Sequence, residues 1–393
     1  GGVAYLALIR TREQAHVSFM ALGIALIMLT IAVPVQLGGP WISVAWAAEA
    51  VVLLWLSYNL RMWQLRVYSV AVFIVFIAWL FAVDTLAALE ADLTPLANEY
   101  LPAYLVGIAA TFLGAYLARR YRGESFEQEV ALFPALLVAG NVILTTAVPI
   151  QVDEVWIAVA WSAQALALMW LSFRLNLVEL RMISMGVFAV LIVRLLIFDT
   201  LVEFQELDPA SGAYVSTDFT LFLNYRMMAF VSGIAAFYGA AFLMHRLREG
   251  LQDWERKDLF IALLIAANFL TLWVLSAEVI AAVDSRIIDV SGRSAEHVTS
   301  LGLSILWAVY ASLILVAGIV GRWRYVRMAG LGLLAFPILK LFLVDSFALE
   351  RGYRVAAFLS LGGILLIGGF LYQRFSDAIW GVLFEDNETA PQT

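Results

Sequence analysis

Apolar runs of about twenty residues follow one another along the whole chain, broken by short polar segments. A run of about 18 or more apolar residues crosses ~30 Å of hydrocarbon as a helix. Lipid offers the backbone no hydrogen bonds, so such runs must be helical. Transmembrane β-strands would alternate over about ten residues, a pattern missing here. The runs predict an all-α polytopic membrane protein with about twelve complete spans. They fall into three sets of four. Helix a covers about 16–36, 129–149 and 257–278; helix b about 41–60, 155–174 and 301–320. Helix c covers about 67–86, 182–201 and 326–345; helix d about 99–119, 224–245 and 354–373.

The sets are copies of one another. Residues 34–85 and 149–200 agree at 24 of 52 positions without a gap, at an offset of 115. In a weaker third copy Trp307 stands where Trp46 and Trp161 stand, and Arg327 where Arg66 and Arg181 do. The d helices share Gly/Ala-rich faces such as "GIAATFLGAYLARR" and "GIAAFYGAAFLMHR", which let helix backbones approach closely. Four spans per copy is an even number, so the repeats are expected to be parallel rather than inverted. The expected divisions are repeats 16–122, 123–256 and 257–379, a remnant of a preceding membrane helix at 1–15, and a polar cytoplasmic tail at 380–393.

Composition agrees with this reading. Hydrophobic residues make up 63% and charged residues 14%, against about 25% charged in a soluble domain. The b–c loops, d–a loops, N-terminal exit and tail carry 17 Arg+Lys and 13 Asp+Glu, while the a–b and c–d loops carry 5 Arg and 17 Asp+Glu. The basic bias puts the b–c and d–a loops and the C-terminus in the cytoplasm. With no cysteine, thiolate chemistry and disulfides are out. His16, His245 and His297 lie near helix ends or in a loop, which does not suit haem held between spans. The pattern calls for no cofactor, no metal and no catalytic residue. The Arg- and aromatic-rich segments "LRMWQLR" and "RWRYVR" suit anionic lipid head groups better than nucleic acid.

The candidate residues are the few polar groups inside the spans. Glu49 lies eight residues after Trp41, roughly 12 Å deep, with Gln164 and Tyr310 at the equivalent places. Asn141 and Asn268 sit at matching depth on helix a, which predicts the pairs Asn141–Gln164 and Asn268–Tyr310. The first copy has Leu26 there, so Glu49 needs another partner or a role in handling an ion, a proton or a substrate. Arg194 and Lys340 align with each other and with Trp79, five residues before Asp199, Asp345 and Asp84. They could snorkel, pair with those acids, or hold an anionic group. Pro337 bends the helix near Lys340. The three aspartates read as acidic outer helix ends.

The W-A-x-E run in "PWISVAWAAEAVVLLWLS" and the ending from "LAFPILKLFLVD" to "FLYQRF" resemble a bacterial family catalogued as domain of unknown function 2339. The resemblance spans essentially the whole chain. It implies a multi-pass protein of the bacterial inner membrane, with family members longer at the N-terminus, and it implies no activity. Three function classes follow: a scaffold organising partners or lipids, a carrier or channel for an anionic or lipid-linked solute, and an intramembrane enzyme on lipid-linked sugars. The expected partners are membrane lipids and other envelope proteins.

Overall fold

The computed structural model describes residues 23–91, 93–121, 131–200, 205–207, 214–216, 220–247, 251, 254–284, 295–321 and 324–343. The expected fourth helix of the third set, at 354–373, lies outside them, as do the N-terminal remnant and the tail. Two compact units are present: residues 1–195 with 235–263, and residues 196–234 with 264–393.

The described helices are α1 Gly23–Gln36, α2 Trp41–Asn59, α3 Trp63–Glu90, α4 Leu101–Arg120, α5 Leu132–Gln151 and α6 Glu154–Leu175. They continue with α7 Val178–Asp199, α8 Tyr225–Arg246, α9 Phe260–Asp284, α10 Ala295–Val320 and α11 Arg324–Leu343. Among the described residues nine helices, α2 to α10, are long and apolar enough to cross a membrane. Between α7 and α8 a short antiparallel hairpin pairs β1 Gln205–Leu207 with β2 Tyr214–Ser216, on either side of the Pro-Ser-Gly connector. Large apolar side chains such as Ile74, Val138, Phe242, Ile265 and Leu313 are exposed on the spans, as a lipid-facing surface requires.

Within the first unit α2 packs on α3 and α4, α4 packs on α5, and α6 packs on α7. Within the second, α10 packs on α11. Small residues set these crossings. Ser69 donates to the Ala50 carbonyl at 2.7 Å, and Ser184 to the Ala165 carbonyl at 2.7 Å. The third copy carries Gly330 at that position, and a Cβ there would come within 2.8 Å of the Leu315 nitrogen.

The turns recur too. Helices α2 and α6 end in the same motif, with Arg61 and Asn176 in the left-handed region at φ 54° and 50°. The next N–H, of Met62 or Leu177, reaches back to the Ser57 or Ser172 carbonyl at 3.0 Å, closing a Schellman turn. Near their C-terminal ends α3 and α7 both widen into a π-helical turn, Leu80–Thr85 and Leu195–Asp199. Such turns are rare and gather at functional sites.

Candidate functional site

Glu49 meets two neighbouring helices. The Thr30 hydroxyl donates to Glu49 Oε1 at 2.8 Å and lies 3.2 Å from the Tyr68 hydroxyl. The Trp46 indole N–H donates to the Thr30 carbonyl at 3.0 Å. The Glu49 partner is therefore Thr30, one turn beyond Leu26 on α1. The same frame stands 115 residues on: Trp161 donates to the Thr145 carbonyl at 2.9 Å, and Gln164 Nε2 to Thr145 Oγ1 at 2.9 Å. This corrects the expected Asn141–Gln164 pair. Asn141 is buried and its amide turns back to the Leu137 carbonyl of its own helix at 2.8 Å. Equal depth placed Asn141 and Gln164 side by side, but the tryptophan anchors the hairpin one turn along, at the threonine. In the third copy Tyr310 donates to Asn268 Oδ1 at 3.1 Å, and Trp307 to Ser276 Oγ at 2.8 Å.

A second polar level surrounds the π turns. Asp84 is 2% exposed and Asp199 4%. The Ser43 hydroxyl of α2 donates to Asp84 Oδ2. Beside it the Thr85 hydroxyl reaches the Leu80 carbonyl at 2.8 Å and lies 2.7 Å from the Tyr104 hydroxyl of α4. The sequence pattern places the aspartates at helix ends, and the structure corrects this for Asp84: α3 continues to Glu90, and the acid is buried. Asp199 does close its helix but is buried. Asp345 lies outside the described residues. Trp79 stacks edge-on against Trp46 with centroids 5.5 Å apart. Its counterpart Arg194 is half-buried at the start of the second π turn. Lys340, the third counterpart, is half-buried and gives its ammonium to the Ser300 carbonyl at 3.0 Å, Ser300 Oγ at 2.8 Å and Ser304 Oγ at 2.9 Å. A lysine with three hydroxyl and carbonyl acceptors is anchored to α10.

At the opposite ends of the b and c helices the aligned arginines Arg66, Arg181 and Arg327 are buried, while Arg61 of the first basic segment is exposed. Arg66 and Arg327 are 6% and 3% exposed. Arg66 lies 4.3 Å from the Tyr58 ring centre, and Arg181 lies 4.8 Å from that of Phe173, the same position in the next copy. Arg181 also pairs with buried Glu255 at 2.5 Å. Desolvated guanidinium–aromatic contacts are worth about 2 kcal/mol.

Sequence reasoning missed a further cluster ahead of the d helices. Asn98 caps α4, accepting from the Tyr100 and Leu101 N–H groups, and exchanges bonds with Gln151 at 2.9 and 3.2 Å. Asn224, 126 residues later, donates to both oxygens of Glu278 at 2.9 and 3.0 Å. Arg226 stands 3.8 Å from Glu278, which is 1% exposed. The available signal was the shared T-x-x-x-N spacing, Thr94 to Asn98 and Thr220 to Asn224.

Among the described residues no group of three or more His, Cys, Asp or Glu could hold a metal ion. Two surface hollows, about 310 and 170 Å³, are apolar; the larger lies along one face of α10 at Ala308, Val309, Leu313 and Val316. Residues 186–375 match the family described as "Predicted membrane protein (DUF2339)". Over that stretch the chain is similar to the members of this family. The family match begins within α7 and takes in Arg194, Glu278 and Lys340; the W-A-x-E run with Glu49 lies before it. No curated protein and no solved structure matches the chain.

Proposed function

We propose that this multi-pass membrane protein is a scaffold of the bacterial inner membrane, organising partner proteins or lipids. The observation that carries this is the use made of its intramembrane polar groups. Thr30 with Glu49, Gln164 with Thr145, Tyr310 with Asn268, and Lys340 with Ser300 and Ser304 each tie one helix to another. Such bonds are worth about 0.6 kcal/mol each in membranes, enough in series to fix helix order without chemistry. In this reading three parallel four-helix repeats present their b–c and d–a loops to the cytoplasm and the acidic loops outward.

The test is mass spectrometry of proteins and lipids that travel with the chain when it is extracted directly into lipid nanodiscs. A partner protein at stoichiometric yield supports the scaffold. A defined anionic lipid or sugar phosphate in its place supports the second reading, a carrier, which the half-buried Glu49 inside α2 favours. Sidedness is tested by single cysteines placed in each loop and labelled from outside, for which the cysteine-free chain is a ready background.

A further inference from the structure

The first two helix sets share a frame and differ in chemistry. The tryptophan–threonine bonds, the serine–alanine crossings, the arginine–ring contacts and the π turns all recur. Four polar side chains do not. Glu49, Tyr68, Ser43 and Tyr104 of the first set are replaced by Gln164, Ile183, Ala158 and Phe230 in the second. All four belong to the two polar levels described above. Every replacement removes an ionisable or hydroxyl group, three of them at similar size and Ile183 with a smaller side chain, so the frame does not need these groups.

The hydrogen-bond direction changes with them. Gln164 donates to its threonine, whereas Glu49 accepts from its own. Thr30 has one hydroxyl proton. Glu49 Oε1 takes it at 2.8 Å, with the Leu26 carbonyl as a longer alternative at 3.1 Å. Glu49 Oε2 is buried with no hydrogen-bond partner among the described residues. A carboxylate held this way within a span carries a large desolvation cost, which a proton on Oε2 removes.

We propose that the first helix set carries a reversible proton-binding site, with Oε2 of Glu49 as the atom that takes the proton. This goes beyond the scaffold reading and does not rest on it. Few other titratable groups face the acid. The described part of α1 has none. Helix α3 brings Tyr68 alongside, with Arg66 towards one end of the helix and Asp84 towards the other. Helix α4, packed on α2, carries Tyr104, which is bonded to Thr85, and the exposed Tyr116, which is bonded to Arg120, with Arg119 beside it at the helix end.

The test is labelling of the protein in lipid nanodiscs with dicyclohexylcarbodiimide, a lipid-soluble reagent that reacts with protonated carboxyls. The carboxyl oxygen attacks the carbodiimide carbon as the acid proton moves to a carbodiimide nitrogen. An O-to-N acyl shift then leaves an N-acylurea, whose mass is the sum of both reactants. The expected result is an adduct mapped to Glu49 at neutral pH. Its rate falls about tenfold per pH unit above the midpoint. The adduct is lost in Glu49→Gln, which copies the second set. Labelling only after unfolding would overturn the proposal. So would protection by sodium chloride but not choline chloride at fixed pH, because the occupant would then be a metal cation.

Discussion

Ser69 donates its hydroxyl to the carbonyl of Ala50 at 2.7 Å, binding helix α3 to α2 at a point where neither side chain could be larger. Ala50 is fully buried, as are its counterparts Ala165 and Ala311. The crossing is therefore a steric feature first and a hydrogen bond second. Ser69→Ala should lower stability by only about 0.6 kcal/mol. Ser69→Leu should cost more, about 1–3 kcal/mol by overpacking. Thermal unfolding in nanodiscs separates the two; equal losses would show that the hydroxyl rather than the space matters.

The third copy makes the same argument with glycine. A Cβ at Gly330 would sit 2.8 Å from the Leu315 nitrogen, and one at Gly318 would sit 2.7 Å from the Arg327 nitrogen. Backbone cannot step aside as a side chain can. Gly330→Ala and Gly318→Ala should each destabilise by about 1–3 kcal/mol. Gly332→Ala, with nothing within 4 Å, should leave the melting temperature unchanged or raise it slightly.

Arg181 and Glu255 form a buried pair, 4% and 0% exposed. Glu255→Ala strands the guanidinium and should cost roughly 3–5 kcal/mol. Replacing both residues by methionine should recover most of that loss. A double-mutant cycle on unfolding checks it: additive losses would mean that the two charges do not depend on each other.

Asn98 and Asn224 cap equivalent helices but serve different neighbours. Asn98→Ala should cost about 1 kcal/mol, the value of a lost cap. Asn224→Ala also takes the amide donors from buried Glu278, adding about 1–3 kcal/mol. Equal melting shifts in the two variants would contradict this difference.

Leu96 and Phe222 stand in the left-handed region at φ 57° and 63°, where a β-carbon costs roughly 1–2 kcal/mol. Leu96 is also exposed, so little packing is lost on truncation. Leu96→Gly should therefore stabilise the chain by up to about 1 kcal/mol, read as a raised melting temperature. A fall would mean that the leucine side chain holds the turn.

Much of this was legible in the sequence because lipid punishes unpaired backbone and polar groups severely. Run length alone located the described helices to within about six residues at either end, and the 115-residue offset pointed to a shared frame between the first two copies. What escaped was rotation about the helix axis. Depth counted along the chain put Asn141 opposite Gln164; the turn that faces Gln164 is Thr145's. Depth also put Asp84 at a helix end, because a continuation through Glu90 depends on a widened turn that leaves no periodicity to read. Leu96 and Asn98 hid in a segment that looks like ordinary loop, and Glu278 at the end of an expected helix that in fact runs on to Asp284.

The widened turns carry one consequence of their own. A π turn holds one residue more than the α-helix it interrupts, and one residue corresponds to about 100° of rotation. The surplus residue in Leu80–Thr85 is thus a phase shift: everything from Leu86 to Glu90 points a quarter-turn away from where an unbroken helix would aim it. Deleting one residue of that turn ahead of Asp84 would shorten the chain by one and swing Leu86–Glu90 back. Asp84 would part from Ser43 while every contact below Trp79 stayed in place. The turn at Leu195–Asp199 closes α7 instead, so there the surplus residue re-aims the end of the helix and Asp199 with it.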